Sequence, residues 1–213
     1  MKNNDIIEKL LLDYPEFSLL WTKVSNNLAP SNILNYLINT NYYLFTSPML
    51  DLIAKIKNTS IRIKVAHHKN TSSQTLAFLS KLKNENIRCA VARNPNTSLN
   101  ILIYLSKDSH EEVRQEVAKN PNTTLETLAL LAKDEDWLIK FHVARNPNVN
   151  PETLDFLATD EDFDIKCVVA GSPKTLLDTL VVLLKDKSSS IRKIAFNNPN
   201  LSDEYKMLYL MEK

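Results

Sequence analysis

The tripeptide Asn-Pro-Asn recurs along the chain at a fixed interval, and this interval constrains the fold more than any other feature. Prolines stand at positions 95, 121, 147, 173 and 199, each 26 residues after the one before. Four of them lie in Asn-Pro-Asn, whereas Pro173 is flanked by Ser172 and Lys174. Self-similarity at a period of about 20–50 residues is the signature of a repeat protein, in which each unit buries its apolar face against its neighbours.

Apolar residues keep the same register over about 150 residues, which predicts two short helices in each repeat. Spacings of three and four residues place the paired columns on one face of a helix. The first pair of columns reads Leu50, Leu76, Leu102, Leu128, Leu154 and Leu180, then Ile53, Leu79, Leu105, Leu131, Leu157 and Leu183. The second pair reads Ile61, Ile87, Val113, Ile139, Ile165 and Ile191, then Val65, Val91, Val117, Val143, Val169 and Ala195.

Local sequence chemistry predicts where these helices begin and end. The proline lacks an N–H and disfavours helical geometry in the residue before it, so it ends the preceding helix. The flanking asparagines can bond backbone groups within the turn. Thr71, Thr123 and Thr175 are predicted to cap the next helix, each with a partner three residues on, and Ser109 with Glu112 to do the same for the second helix.

The segment VAKNPNTTLETLALLAKDEDWLIKFHVARNPN resembles the leucine-rich repeat variant family, and the resemblance covers about residues 60–200. It implies an all-α fold: a right-handed α-solenoid of about five to six 26-residue two-helix repeats with helical caps, in which one helix layer is partly 3₁₀. The founding member of that family carries an iron–sulfur cluster on amino-terminal cysteines. Residues 1–60 contain no cysteine, so no cofactor is expected here.

The chain is expected to have three parts. Residues 1–42 form an N-terminal helical cap, residues 43–200 the repeats, and residues 201–213 a C-terminal capping helix, because terminal repeats need a polar outer face. The cap is predicted to contain helices near Asp5–Leu12, Glu16–Val24 and Pro30–Ile38, with a break at Asn26–Ser31. The apolar run Met207–Leu210 is predicted to close the other end. Either end could instead contact a second copy, so a monomer or weak dimer is expected.

Composition excludes several classes of function. Gly171 is the only glycine, and phosphate-binding loops, dinucleotide fingerprints and nucleophile elbows all need more than one. Cys89 and Cys167 stand three whole periods apart, too far for a disulfide, and the histidines complete no zinc spacing. No catalytic triad is apparent, so no enzyme and no metal are predicted. No segment reads as a signal peptide or a membrane span, so a cytoplasmic protein with no membrane contact is expected.

Comparing equivalent positions between repeats distinguishes residues that pack in every repeat from residues that are candidates for recognising a partner. Positions on the first helix of each repeat that lie opposite the leucine pair vary from unit to unit, and solenoids use such rows as binding surfaces. The candidate partner-binding residues are Gln74, Lys81, Asn100, Ile103, Lys107, Glu126, Lys133, Asp155 and Val181. The leading hypothesis is therefore a non-enzymatic repeat scaffold that binds another protein.

A recurrent basic column supports the alternative hypothesis of nucleic-acid binding. The column reads Arg62, Arg88, Arg114, Lys140, Lys166 and Arg192. The last four are predicted to pair with the aspartate six residues earlier in the same unit, namely Asp108, Asp134, Asp160 and Asp186. Arg62 and Arg88 have no such aspartate. With Lys64, Lys69 and Arg93 they form a candidate anion-binding patch in residues 61–110, whose net charge is +6.

Two further expectations concern neighbouring residues. Phe78 and Tyr104 are placed on the apolar side of their helices, so base stacking is not expected. The acidic turns 134–136 and 160–164 lack the glycine and final glutamate of a calcium loop, and are expected to stabilise helix N-termini instead.

Overall fold

The computed structural model describes residues 2–24, 29–40 and 42–211. Over these ranges the chain forms sixteen α-helices and one 3₁₀ turn at Tyr42–Leu44, with no strand, which confirms the all-α fold class. The first three helices are α1 Asn3–Asp13, α2 Pro15–Val24 and α3 Pro30–Thr40. The repeats follow with α4 Ser47–Ile53, α5 Thr59–His67, α6 Ser73–Leu79, α7 Glu85–Arg93, α8 Leu99–Leu105, α9 Glu111–Lys119, α10 Leu125–Leu131, α11 Trp137–Arg145, α12 Pro151–Ala158, α13 Phe163–Gly171, α14 Leu177–Leu183 and α15 Ser189–Phe196. The chain ends with α16 Asp203–Met211.

Helices alternate in length through the repeats. The even-numbered helices α4 to α14, here called the A helices, have seven or eight residues, and the odd-numbered helices α5 to α15, the B helices, have eight or nine. The A helices are α-helical and close with i→i−3 bonds, such as Lys133 N–H to the Leu130 carbonyl at 3.2 Å. Within the A helices, 3₁₀-type bonding is therefore found at the last turn and not along the helix.

The chain divides into two compact units, Met1–Leu105 and Ser106–Lys213, a boundary that the sequence did not predict. In the first unit the B helices α5 and α7 pack against each other, and in the second α9, α11, α13 and α15 pack in succession. The predicted division into residues 1–42, 43–200 and 201–213 stays a prediction, as does the right-handed course of the solenoid.

The leucine and isoleucine columns form the core, as predicted. Leu128 and Leu131 of α10 are buried, and so are Ile139 and Val143 of α11. Because these four residues come from both helices of one repeat, the A and B helices of that repeat both contribute apolar side chains to the core of the second unit.

The first asparagine of Asn-Pro-Asn joins neighbouring repeats, which extends its predicted local role. Asn146 Nδ2 donates to the carbonyls of Ala118 at 2.6 Å and Asn120 at 3.0 Å, both in the preceding repeat. Its Oδ1 accepts from the N–H of Asn148 at 2.8 Å, within its own turn. One buried side chain thus satisfies backbone groups in two repeats, and this explains why asparagine recurs there.

The departure from Asn-Pro-Asn at Ser172-Pro173-Lys174 keeps only part of this arrangement. Ser172 Oγ accepts from the Lys174 N–H at 3.3 Å, but the serine side chain is too short to bridge to the preceding repeat. Lys174 Nζ donates to the carbonyls of Pro147 and Val149, the same positions that Asn148 bonds one repeat earlier. Lys174 therefore makes the bonds that the second asparagine makes in other repeats, whereas Ser172 does not make the bonds of the first asparagine to the preceding repeat.

The predicted helix caps are wrong by one residue. Thr124, not Thr123, caps α10 by accepting from the Thr127 N–H at 3.3 Å. Thr123 is buried and donates to the Val117 carbonyl at 2.6 Å, at the end of the preceding B helix. For α9 the N-cap residue is His110, without a side-chain cap bond, so the capping role predicted for Ser109 is also wrong.

The three N-terminal helices lie close to their predicted positions, although residues 26–28 of the predicted break lie outside the described residues. α1 packs against α4 and α3 against α5. At the other end none of the α16 side chains is fully buried, and Met207, Leu208 and Leu210 are exposed. The Tyr209 ring lies 5.8 Å from the Phe196 ring of α15 between ring centres. The closing role of Met207–Leu210 stays a prediction.

Candidate interaction surface

The residues predicted to bind a partner lie at the protein surface. Eight are exposed and Val181 is half-buried beside a cavity of about 410 Å³. Asp155 is already engaged within the protein, since the Thr179 hydroxyl of the next repeat donates to its carboxylate at 2.8 Å. The eight exposed residues are Gln74, Lys81, Asn100, Ile103, Lys107, Glu126, Lys133 and Asp155.

The sequence analysis missed exposed apolar side chains at one position of the A helices, two in the first unit and three in the second. Each stands immediately before the second leucine of the buried pair, and their exposed fractions lie between 43% and 65%. We call Phe78, Tyr104, Leu130, Phe156 and Val182 the apolar row. The expectation that Phe78 and Tyr104 face the core was wrong, because the leucines on either side already fill it. The available signal was a bulky apolar residue in the same position of five successive repeats.

In the second unit the apolar row lies beside carboxylates. Glu126 precedes Leu130 by four residues on α10, and Glu152 precedes Phe156 by four on α12. Residues four apart share one face of a helix, so each pair forms one exposed stripe. We call Glu126, Glu152 and Asp178 the acidic row. In the first unit Gln74 and Asn100 occupy the equivalent positions, so that part of the surface is uncharged.

Of the four cations predicted to pair with the aspartate six residues earlier, three pair with a different aspartate, and Arg192 donates to the backbone carbonyls of Asp186 and Lys187 at 2.7 and 3.0 Å. Arg114 Nε donates to Asp134 Oδ2 at 2.7 Å, Lys140 Nζ to Asp160 at 2.6 Å and Lys166 Nζ to Asp186 at 2.9 Å. The partner is 20 residues downstream, in the next repeat, rather than six residues upstream in the same one. The upstream contact of Arg114 is instead to the backbone carbonyl of Asp108, at 2.9 Å. These ion pairs link repeats and leave the cations engaged.

The acidic turns have structural roles, as expected. Asp136 caps α11 by accepting from the N–H groups of Leu138 and Ile139 at 2.8 and 3.1 Å. Asp162 caps α13 in the same way, through the Ile165 N–H at 3.0 Å. Within the described part of the chain no group of three or more His, Cys, Asp or Glu side chains is placed to hold a metal ion.

Three of the five candidate anion-binding residues are engaged within the first unit. Arg62 donates to the Ala54 and Lys55 carbonyls at 3.1 and 3.4 Å, and its guanidinium carbon lies 5.9 Å from the centre of the Phe78 ring. Arg88 is 8% exposed and donates to the Leu82 and Lys83 carbonyls at 2.8 and 2.7 Å. Lys64 Nζ donates to the Asn39 side chain at 2.5 Å. The positively charged groups of these three side chains therefore donate to backbone carbonyl and side-chain amide oxygens of the protein.

Lys69 and Arg93, the other two candidates, are exposed. Because Arg88 is buried, it offers an external anion little surface.

Two titratable groups of the second unit, His142 and Cys167, have pKa values shifted by burial. Burial lowers the pKa of His142, and the nearby Lys119 ammonium lowers it further. Burial raises the pKa of the Cys167 thiol, and Asp164 adds to this, so the thiol is protonated at neutral pH. Cys89 and Cys167 are both free thiols. Of the helices over the described ranges, none has the length and apolar character to cross a bilayer.

The fold and this surface define a helical repeat protein. No protein-family model and no curated protein sequence match the chain. Among solved structures the chain is similar to one described as a leucine-rich repeat variant with a novel repetitive protein structural motif. The TM-score is 0.60 with 17% sequence identity, over 84% of this chain and 80% of the other. The resemblance inferred from Asn-Pro-Asn and the leucine columns is thus confirmed as a resemblance of fold.

Proposed function

We propose that this protein is a non-enzymatic repeat scaffold that binds another protein through the exposed face of its A helices. The observation that carries the proposal is the apolar row of the second unit, where Leu130, Phe156 and Val182 are exposed at the same position of three successive A helices. Bulky apolar side chains that gather on one face, rimmed by polar residues, are typical of interaction sites. The row has no role in the core, since Leu128 and Leu131 are buried while Leu130 between them is not.

The predicted partner-binding residues flank this row and support the proposal. On α10, Glu126 lies four residues before Leu130 on the same helical stripe, and Lys133 follows in the turn after the helix. An apolar centre with a charged rim is the usual anatomy of a protein–protein interface. The flanking positions change from repeat to repeat, which would give the surface its specificity.

The test is site-specific photocrosslinking in the cell of origin. A photoreactive phenylalanine analogue replaces Phe156 on α12, and in a matched control it replaces Phe163 on α13. The two rings are 47% and 49% exposed in the same unit, but on A and B helices respectively. We expect protein adducts at position 156 to exceed those at 163 by about tenfold, since interface centres exclude water and hold their anchors closely. Equal yields at the two positions would overturn the proposal.

A second function, binding of single-stranded nucleic acid by the first unit, is favoured by one observation. Phe78 and Tyr104 expose their rings in a unit with 12 basic and 6 acidic residues, and exposed aromatic rings beside positive charge can stack bases. The experiment is a titration of labelled mixed-sequence RNA and DNA at about 50 and 200 mM salt. Binding that falls steeply with salt and is lost in Phe78→Ala/Tyr104→Ala, but not in Leu130→Ala/Phe156→Ala, would establish it. No binding at the lower salt would exclude it.

A further inference from the structure

We infer that the second unit binds an extended segment of its partner that carries one apolar and one basic residue in every three. This inference rests on the proposed function and narrows it, because it names the chemistry of the segment. It concerns only Ser106–Lys213 and the A helices α10, α12 and α14.

The surface consists of two parallel rows. Leu130, Phe156 and Val182 form its apolar row, and Glu126, Glu152 and Asp178 form its acidic row, one of each on every helix. Members on the same helix are four residues apart, which places them about 6 Å apart along the helix axis. A partner that contacts both rows therefore needs two kinds of side chain on adjacent edges.

Charge selects a basic partner. The three carboxylates of the acidic row are exposed and form no ion pair with any side chain in the described residues of the chain. The whole unit has 19 acidic and 14 basic residues, so its field also attracts cations. An acidic segment, or the phosphates of a nucleic acid, would be repelled from the same row.

A groove beside the acidic row can accommodate the stem of a long basic side chain. It has a volume of about 780 Å³ and runs between the start of α10 and the turn before α12. Leu125, Val149 and Pro151 give it apolar walls, Glu126 also lines it, and so does Lys174, whose ammonium is held by the Pro147 and Val149 carbonyls. Lysine and arginine bury their methylene stems along such surfaces while the charged end stays near a carboxylate.

The spacing of the helices sets the spacing of the segment. The B helices of successive repeats pack against each other in this unit, and packed helices lie about 8–10 Å apart, so successive repeats present one member of each row in about that distance. A polyproline II segment advances about 3.1 Å per residue with three residues per turn, which is about 9.3 Å per turn. Residues three apart then lie on one edge. One edge meets the apolar row, the next meets the acidic row, and the third faces solvent.

The test is a binding titration of the full chain with labelled peptides. The probe peptide contains four Leu-Lys-Pro triplets. One control peptide has glutamate in place of lysine, and a second has the same composition with its lysines clustered at one end. We expect the probe to bind about tenfold more tightly than either control, because only it satisfies both charge and spacing.

Matched variants test the acidic row directly. Glu126→Gln/Glu152→Gln/Asp178→Asn removes three negative charges on the surface, and Glu135→Gln/Glu161→Gln/Glu204→Gln removes three from exposed positions elsewhere in the unit. We expect the first triple variant to weaken probe binding about tenfold and the second by about twofold or less, since exposed pairs contribute locally. Equal effects of the two triple variants, or equal binding of the three peptides, would overturn the inference.

The failure of this inference can be distinguished from that of the proposed function. If position 156 yields adducts in the cell but the triplet peptide does not bind, the partner has another chemistry and the scaffold function stands. If position 156 yields no more adducts than position 163, the surface itself is wrong and both proposals fall.

Discussion

Arg114 binds Asp134 of the next repeat through two hydrogen bonds, 2.7 Å from Nε to Oδ2 and 3.0 Å from Nη2 to Oδ1. Such a bidentate, charge-assisted pair is stronger and more specific in its geometry than a single hydrogen bond. Asp134 also accepts from the Asp136 N–H at 3.0 Å, so one carboxylate joins a B helix to the turn of the following repeat. The pair is largely shielded from water, with side-chain exposures of 20% and 10%.

Removing this carboxylate is expected to destabilise the second unit. Asp134→Asn should lower the free energy of unfolding by about 1–3 kcal/mol, because hydrogen bonds to charged groups contribute about 1.5–3 kcal/mol and their loss leaves Arg114 partly unpaired. Urea unfolding followed by circular dichroism measures this. Glu135→Gln, which changes an exposed neighbour, should leave the unfolding midpoint unchanged. If the two variants behave alike, the pair has no stabilising role.

The same aspartates predict how stability depends on pH. Burial alone raises the pKa of Asp134, but hydrogen bonds from Arg114 and from the Asp136 N–H outweigh it, and the pKa is lowered. The pKa values of Asp160 and Asp186 are lowered as well, through their lysine partners and the backbone of their turns.

A carboxyl whose pKa is lower in the folded state stabilises it above the unfolded pKa, about 3.9 for aspartate, and this contribution is lost as pH falls through the folded value. Unfolding free energy should therefore fall as pH drops below about 4. The fall should be shallower in Asp134→Asn. Parallel pH profiles for the wild type and the variant would contradict the assignment.

Two leucines on α10 should respond very differently to truncation. Leu128 is fully buried and Leu130 is 47% exposed. Leu128→Ala should cost about 2–5 kcal/mol of unfolding free energy, because it removes buried contacts and leaves a cavity. Leu130→Ala should cost about 1 kcal/mol or less, since half of that side chain already contacts water. Chemical denaturation of both variants measures the difference, and equal costs would mean that the apolar row belongs to the core.

The repeat that begins at Ser172 allows a gain of stability to be tested. Ser172→Asn should restore the bridge that Asn146 makes to its preceding repeat, and raise the unfolding free energy by about 1 kcal/mol through two added hydrogen bonds. The reciprocal variant Asn146→Ser should lower it by about 1–3 kcal/mol, because buried carbonyls lose their donor. Thermal unfolding of both variants is the measurement. A loss of stability in Ser172→Asn would show that this repeat is built around the smaller side chain.

Sequence periodicity predicts the core because the buried positions of a helix recur every three or four residues. Leu128 and Leu131 have equivalents with the same spacing in every repeat. Assigning one member of a column to the core therefore assigns the others as well. The cap is harder to predict, because Thr123 and Thr124 are adjacent and both can accept a hydrogen bond. Only the backbone geometry shows that Thr124 precedes the first helical residue, while Thr123 is left to bond the Val117 carbonyl.

The surface was predictable only in part, because it depends on how repeats lie beside each other. Asp108 is near Arg114 in sequence and was the natural partner, but the distance to Asp134 depends on the packing of α11 against α9. Tyr104 lies at the edge of a helical apolar face, where periodicity cannot decide between core and solvent. The variable residues around the apolar row could be identified from the sequence, because they differ between equivalent positions of the repeats in the same chain.

The central claim is that the A-helix face, and not another exposed face, holds the partner. The most direct measurement is quantitative mass spectrometry of proteins recovered with the full chain after chemical crosslinking in the cell of origin. Leu130→Ala/Phe156→Ala alters the A helices, and Trp137→Ala/Phe163→Ala alters residues of similar exposure on the B helices.

We predict that the first double variant loses recovery of the partner by about tenfold and that the second retains it, because loss of anchors at an interface centre dominates binding. Undiminished recovery with the A-helix variant, at an unchanged unfolding midpoint, would contradict the account.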